Sequence, residues 1–398
     1  MNSKMLGGIL LISGTSIGGG MLGLPIATAK SGIVHSSVLF IICWILMTFT
    51  ALLTLEVNLC FPKNSNIISM ASATLGKGGA FICWTVYLFF LYALVSAYIA
   101  GGQDVLHGFL NAGGINIPIW VCGLLFVFAF GSLVSAGIKH VDIFNRILMI
   151  IKLGSVFLLM ALIAMHIDIS NYSSGKMEFL LPAITVAITS FGFSIIVPSL
   201  RTYFNDDIKK LRFAILLGSF IPLVCYIIWD AVIFGLVPLA GEFGLERLID
   251  ASQPISSLLE SIKYYVPTQQ IIFLSKAFMS ICVLTAFACV SLGLYDYLAD
   301  GLKVHDKPKG KLFVVSATFV PPLLVVMFYP KIFILLLSVA GLLCVMLQAL
   351  MPAMMAWNCR YVKKIEMQYQ VAGGKPALTL AIAVSLIVIS IAAYQLIS

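Results

Sequence analysis

Gly14-Thr15-Ser16-Ile17-Gly18-Gly19-Gly20 lies in the middle of an apolar run that extends from residue 5 to residue 31. Four glycines in seven residues cost about 1 kcal/mol each inside a helix, relative to alanine. The run therefore predicts a spanning helix interrupted halfway. A second run, 179–203, carries a related interruption, Thr189-Ser190-Phe191-Gly192-Phe193-Ser194. A proline follows each break, Pro25 in the first case and Pro198 in the second. Each break begins ten to twelve residues into its run, and each run opens a block of five. Glycine-interrupted spans at matched positions of two halves point to an inverted-repeat secondary transporter with its site at the breaks.

The rest of the chain supplies the other spans. Of 398 residues, 61% are hydrophobic and 10% charged, and mean hydropathy is +1.07. A soluble domain has about 25% charged residues, so a soluble enzyme and a disordered chain are both excluded. Apolar runs of about 20 residues are too long for barrel strands. Besides the two interrupted runs, they fall at 33–61, 80–106, 117–138, 143–166, 212–237, 269–298, 312–329, 332–357 and 377–397. The expectation is an all-α polytopic membrane protein with eleven transmembrane helices in one domain, 1–398. Repeat one covers about 5–166, repeat two about 179–357, and an extra helix about 377–397. The Met1–Lys4 start resembles a signal-peptide n-region, but the glycine-rich run after it lacks a small-x-small site before its far end. A retained first helix is expected.

The net charge of +8 is explained by topology. With the N-terminus inside, seventeen of the 24 lysines and arginines fall in cytoplasmic loops, among them Lys209, Lys210, Arg212, Lys303, Lys307, Lys309 and Lys311. Lys30, Lys176, Arg247, Lys263 and Lys331 lie outside, and Lys152 and Lys276 fall within spans. The positive-inside rule sets the N-terminus in the cytoplasm and the C-terminus on the periplasmic side. No nucleic-acid partner is needed to account for the basic excess. The outside loop 238–268, with Glu242, Glu246, Asp250 and Glu260, predicts a short surface helix. The nine cysteines form no CxxC pair and the five histidines no metal-ligand spacing, so free thiols and no metal are expected.

Non-helical backbone at mid-membrane depth survives only where it is buried in protein or lines a cavity. A broken helix offers free N–H groups near Gly18, Gly19 and Gly20 for a carboxylate, and free carbonyls near Ser13 to Thr15 for an ammonium. An α-amino acid carries both groups on one carbon. Close helix packing is the alternative use of the glycines.

At these residues the chain resembles the hydroxy/aromatic amino acid permease family. The resemblance rests on Gly14–Pro25, on Thr189–Phe193 with Val197-Pro198-Ser199, and on Gly293-Leu-Tyr-Asp-Tyr-Leu-Ala-Asp300. Pro321-Pro322 with Phe328-Tyr-Pro330, and Gly373-Gly-Lys-Pro376, extend it over essentially the whole chain. It implies an eleven-helix member of the amino acid/polyamine/organocation superfamily, with a LeuT-type 5+5 inverted repeat and broken helices 1 and 6. It also implies inner-membrane, proton-coupled uptake of an aromatic L-amino acid, tyrosine favoured over tryptophan. Where the tyrosine and tryptophan members carry a His after Phe-Gly-Phe/Tyr, this chain has Ser194.

The candidate substrate-binding residues are Thr15, Ser16, Gly18, Gly19, Gly20, Ser190, Phe191, Gly192, Phe193, Ser194, Tyr92 and Ser96. An aromatic substrate needs a ring-lined slot with one or two polar groups, although these rings also suit ordinary helix packing. Lys152 lies about two helical turns deep, where a charge costs at least about 2.5–3.5 kcal/mol. A buried amine can shed its proton, whereas a shallower lysine would snorkel. By the resemblance, Lys152 takes the place of a sodium ion and couples transport to protons. Asp230 is a second coupling candidate or the partner of a buried base such as Lys276, and Glu56 is a gate or structural pair. Sodium coupling through hydroxyls such as Ser280 and Thr285 stays open. No HExxH, GxSxG or P-loop supports an enzyme or an ATP-driven pump. A channel or an amino-acid sensor on the same fold are the rival classes. No cofactor and no obligatory protein partner are expected; the bilayer and the substrate are the partners.

Overall fold

Both interruptions are present in the computed structural model, which describes residues 3–63, 65–135, 138–172, 175–249, 251–302, 308–329 and 332–397. Asp250, Lys303, Lys307, Pro330 and Lys331 lie outside the described residues. Helix α1 (Ser3–Ser16) stops where glycine density peaks, and α2 (Gly19–Thr28) restarts after Gly18. A 3₁₀ turn at Ala29–Ser31 leads into α3 (Gly32–Leu59). Asn66 caps α4 (Ile67–Ala112) by accepting from the Ser69 N–H at 2.8 Å. Within α4, Gly76 adopts φ +77° and sets a kink that a residue with a Cβ would resist. Then follow α5 (Ile119–Ser135) and α6 (Ile138–Ala164).

The second interrupted run gives α7 (Leu180–Ser190) and, after a break and a 3₁₀ turn, α8 (Val197–Tyr203) with Pro198 in its first turn. Asp207 caps α9 (Ile208–Leu236). The 238–268 loop holds two short helices, α10 (Leu245–Ile249) and α11 (Pro254–Tyr265). The chain continues through α12 (Gln269–Leu302), α13 (Pro308–Phe328), α14 (Phe333–Cys344), a π turn at Val345–Leu350, α15 (Met351–Trp357) and α16 (Gly374–Ile397). A second π turn, Asn358–Val362, prolongs α15 beyond the apolar run 332–357, so Cys359 and Arg360 are buried in helical structure.

All regular structure among the described residues is helical. Among the described residues, nine stretches are long and apolar enough to cross a membrane. The eleven runs reduce to nine for two reasons. Residues Gly19–Leu59, which hold both α2 and α3, count once, and α5 is too short to count. Phe128, Ile150, Phe273 and Leu312 are exposed around the outside, as suits lipid rather than water. The chain is a polytopic helical membrane protein.

Helices α1, α2, α3, α7 and α9 pack on one another, and α4, α5, α6, α12 and α13 form a second group. α14 lies against α4 and α7. Its approach to α7 depends on Gly341, where a Cβ would stand 2.2 Å from the Thr185 carbonyl oxygen and 2.6 Å from its carbon. Backbone cannot retreat as a side chain can. Gly341→Ala is therefore expected to cost about 1–3 kcal/mol or more through overpacking. Thermal unfolding in detergent checks this against Gly293→Ala, where a Cβ meets nothing within 4 Å.

Candidate functional site

At the first break the Ile17 N–H still donates to the Ser13 carbonyl at 2.8 Å, and Gly18 is fully extended. Since α2 begins at Gly19 and no side chain caps it, its first N–H groups lack intrahelical partners. The carbonyl side of the break is occupied. Lys152, on α6 and 1% exposed, points its Nζ 2.5 Å from the Ile17 carbonyl and 3.2 Å from that of Gly14. The Thr285 hydroxyl, from α12, is 3.4 Å from the same nitrogen. The lysine therefore does not snorkel; carbonyls freed by the break solvate it. Thr285, a candidate sodium ligand, is already engaged with this ammonium, and Ser280 donates to the Lys276 carbonyl of its own helix.

The second break abuts the first. A Cβ on Gly20 would lie 2.8 Å from the Ser190 Oγ and 3.4 Å from its Cα. The Tyr226 hydroxyl, on α9 and fully buried, stands 2.6 Å from the Ser16 carbonyl and 2.8 Å from the Ser190 carbonyl. Its ring packs edge-on against Phe191, with centroids 5.0 Å apart. Tyr226 was not a candidate from sequence. A signal existed: it sits four residues before Asp230, on the same face of one apolar helix.

The other candidates divide. Gly18, Gly19 and Gly20, Ser16, Ser190 and Phe191 come together at the junction. The Ser16 hydroxyl is buried with no partner among the described residues, whereas that of Ser190 turns back to the Val186 carbonyl. Thr15 faces an exposed side and bonds Leu11 in its own helix. Ser194 turns away toward the α14–α15 π turn, where Gln348 Oε1 accepts from its N–H at 3.0 Å and its hydroxyl at 2.9 Å. The Gly192 Cα faces the same way, toward Cys344 and Gln348. Phe193 packs with Ile9, Leu55 and Leu200 in a separate cluster at the end where α1 begins.

Tyr92 requires a correction. Its hydroxyl donates to the Ala317 carbonyl of α13 at 2.7 Å, away from the breaks, and Ser96 only bonds the Tyr92 carbonyl. Tyr98 is the α4 ring that reaches the first break: a Cβ on Gly19 would stand 2.5 Å from its edge. A spacing of six puts the two tyrosines on different faces, and the helix presents the second. Asp230 does not pair with Lys276 either. Its Oδ2 is 2.7 Å from the Thr28 hydroxyl at the end of α2, its Oδ1 is buried without a partner among the described residues, and Lys276 lies over the Phe109 ring.

At the face where α1 begins, Glu56 of α3 meets Arg360 in a buried two-pronged pair, Oε1–Nε 2.6 Å and Oε2–Nη2 2.5 Å. The Val371 N–H donates to the same carboxylate at 2.7 Å and the Val371 carbonyl accepts from Arg360 at 3.0 Å. Beside it, Arg201 of α8 donates to the Asn58 and Phe61 carbonyls and to Asp206. Hydrogen bonds from Arg201 and Lys63 hold the Asp206 carboxyl below the usual carboxylate range. Among the described residues no cluster of three or more His, Cys, Asp or Glu suits a metal ion.

Residues 1–392 match the sequence profile of the tryptophan/tyrosine permease family. The chain is similar to the tyrosine-specific transport system 2 of Haemophilus influenzae, 31% identical over 98% of this chain and 96% of the relative. It is also 31% identical to the tryptophan-specific transport protein of the same organism, over 93% and 91%. The glutamine transporter 2 of Aliivibrio fischeri is 27% identical over 98% and 99%.

Proposed function

The chain belongs to the tryptophan/tyrosine permease family, and from that premise we propose that it imports an aromatic L-amino acid, tyrosine favoured, by proton symport. Its homologues are permeases, not enzymes. The observation that carries the proposal is the Lys152 ammonium on the Gly14 and Ile17 carbonyls of the first break. A monovalent cation is what unwound carbonyls at a half-helix end attract, and here the cation is a group that can lose its proton. Protonated, Lys152 fixes the break; neutral, it releases it. Asp230, buried with one oxygen unpartnered, is a second proton position on the same helix group.

In this reading eleven spans make a 5+5 inverted repeat plus an extra helix, with the α1–α2 and α7–α8 spans corresponding. The unpartnered N–H groups at Gly19 and Gly20 hold the substrate carboxylate, and Ser16 and Tyr98 line the same place. Helices α1, α2, α3 and α7 to α9 rock against the others, and the Glu56–Arg360 pair gates the N-terminal face by joining α3 to the end of α15. In this reading that face, flanked by most of the lysines and arginines, is cytoplasmic, and the membrane is the inner one, as the resemblance implies.

A different neutral substrate has one observation in its favour. Ser194, where tyrosine and tryptophan members carry His, is tied to Gln348, and one full-length relative is a glutamine transporter. Purified protein in liposomes, given labelled Tyr, Trp, Phe and Gln under a proton gradient and then a sodium gradient, tests both readings. Proton-driven accumulation of tyrosine above the other three is the expected result. Accumulation driven by sodium alone, or of glutamine alone, would refute it.

A further inference from the structure

Ser16 and Ser190 are the last residues of α1 and α7, so their carbonyls are among those a helix end leaves without partners. The two helices end against each other, so the negative ends of two helix dipoles converge in a buried, low-dielectric place. Left alone, such a convergence calls for a cation. At the first break Lys152 meets that demand for Gly14 and Ile17. It does not serve Ser16 or Ser190. What stands between those two is the hydroxyl of Tyr226, at 2.6 and 2.8 Å, and its single proton is shared by both carbonyls.

We propose that Tyr226 is a positioning residue that ties the two broken spans together and substitutes for a second, metal cation at their junction. The inference rests on reading the breaks as the substrate site. The tyrosine is held for this task. Its ring packs against Phe191 (5.0 Å) and Phe40 (6.4 Å), which holds the hydroxyl within reach of both carbonyls. A phenol donates a proton without ionising in the physiological range, so this junction stays closed while Lys152 titrates. One break-solvating group is thus switchable and the other permanent. That division lets the substrate carboxylate meet a preformed pair of segments in either protonation state, and it gives the carrier no need of sodium.

Tyr226→Phe removes only the hydroxyl and keeps the ring. Equilibrium binding of labelled tyrosine to purified protein, in sodium chloride and in choline chloride, reads the effect. In choline the variant is expected to bind about tenfold more weakly, equivalent to about 1.4 kcal/mol, with sodium recovering most of the loss as the ion enters the vacated place. The wild type binds equally in both salts. A merely structural tyrosine would not produce sodium rescue. Variant affinity equal to wild type, or a loss that sodium leaves unchanged, overturns the inference, as does a wild type that requires sodium, even if the variant fails to fold. Gly19→Ala separates this from the underlying reading. If Tyr226→Phe binds normally and Gly19→Ala does not, only the Tyr226 inference falls. If both bind normally, or the wild type binds nothing, the substrate-site reading falls with it.

Discussion

Lys152→Ala is expected to abolish concentrative uptake while leaving exchange of substrate across the membrane partly intact. The reason lies in what surrounds the amine. Its nitrogen is within 3.4 Å of three oxygens, two of them carbonyls released by the first break. A proton arriving there changes the charge at the break by one unit. Importing one net charge per cycle draws on about 2.3 kcal/mol per 100 mV, enough for about fifty-fold accumulation. Without the amine the carrier still closes and opens around substrate, but the gradient has nothing to act on. Lys152→Arg sharpens the test, because a guanidinium keeps the charge and cannot release it; that variant is expected to bind substrate and neither accumulate nor exchange it. Proton-driven accumulation by Lys152→Ala vesicles would refute the assignment of Lys152 as the coupling group.

Arg360→Ala is expected to be the most destabilising single change at the N-terminal face. Glu56 and Arg360 are 0% and 2% exposed in their side chains and satisfy each other through two bonds, with the Val371 backbone completing the set. Removing the arginine leaves a carboxylate buried and unpaired, which costs about 3–5 kcal/mol. The measurable outcome is a large fall in Tm or a loss of folded protein in detergent. Replacing both residues with apolar ones, as in Glu56→Leu with Arg360→Met, removes the orphaned charge and is expected to restore most of the stability. If the pair is a gate, this double variant regains its Tm but keeps an altered transport rate. Normal rate and normal Tm together would assign the pair to neither role.

The breaks were legible because glycine is penalised in helices by an amount that accumulates, and two clusters recurred at matched positions. Lys152 was legible for a related reason: a charge so deep in an apolar run needs a partner. The sequence did not reveal what faces what. Tyr92 and Tyr98 differ only by their direction around α4, and that is set by packing against α13 and the first break rather than by anything local. Gly192 lies within the second break and Ser194 at its end, yet both face the π turn near Gln348, a bulge with no sequence signature of its own. Tyr226 escaped notice because a tyrosine in an apolar span has many ordinary uses; only the convergence of two carbonyls identifies this one. The span count differs because α2 and α3 follow each other with only a three-residue turn between them and α5 is short.

Binding of labelled tyrosine to detergent-solubilised wild type and Gly19→Ala bears most directly on the role of the breaks. The added methyl would stand 2.5 Å from the Tyr98 Cε1, 2.9 Å from its Cδ1 and 3.7 Å from its Cζ, so it intrudes where the proposal seats the substrate carboxylate and ring. Saturable wild-type binding, lost in a Gly19→Ala protein of unchanged Tm, is the predicted result. Equal affinity in the two proteins would show that the substrate is held elsewhere.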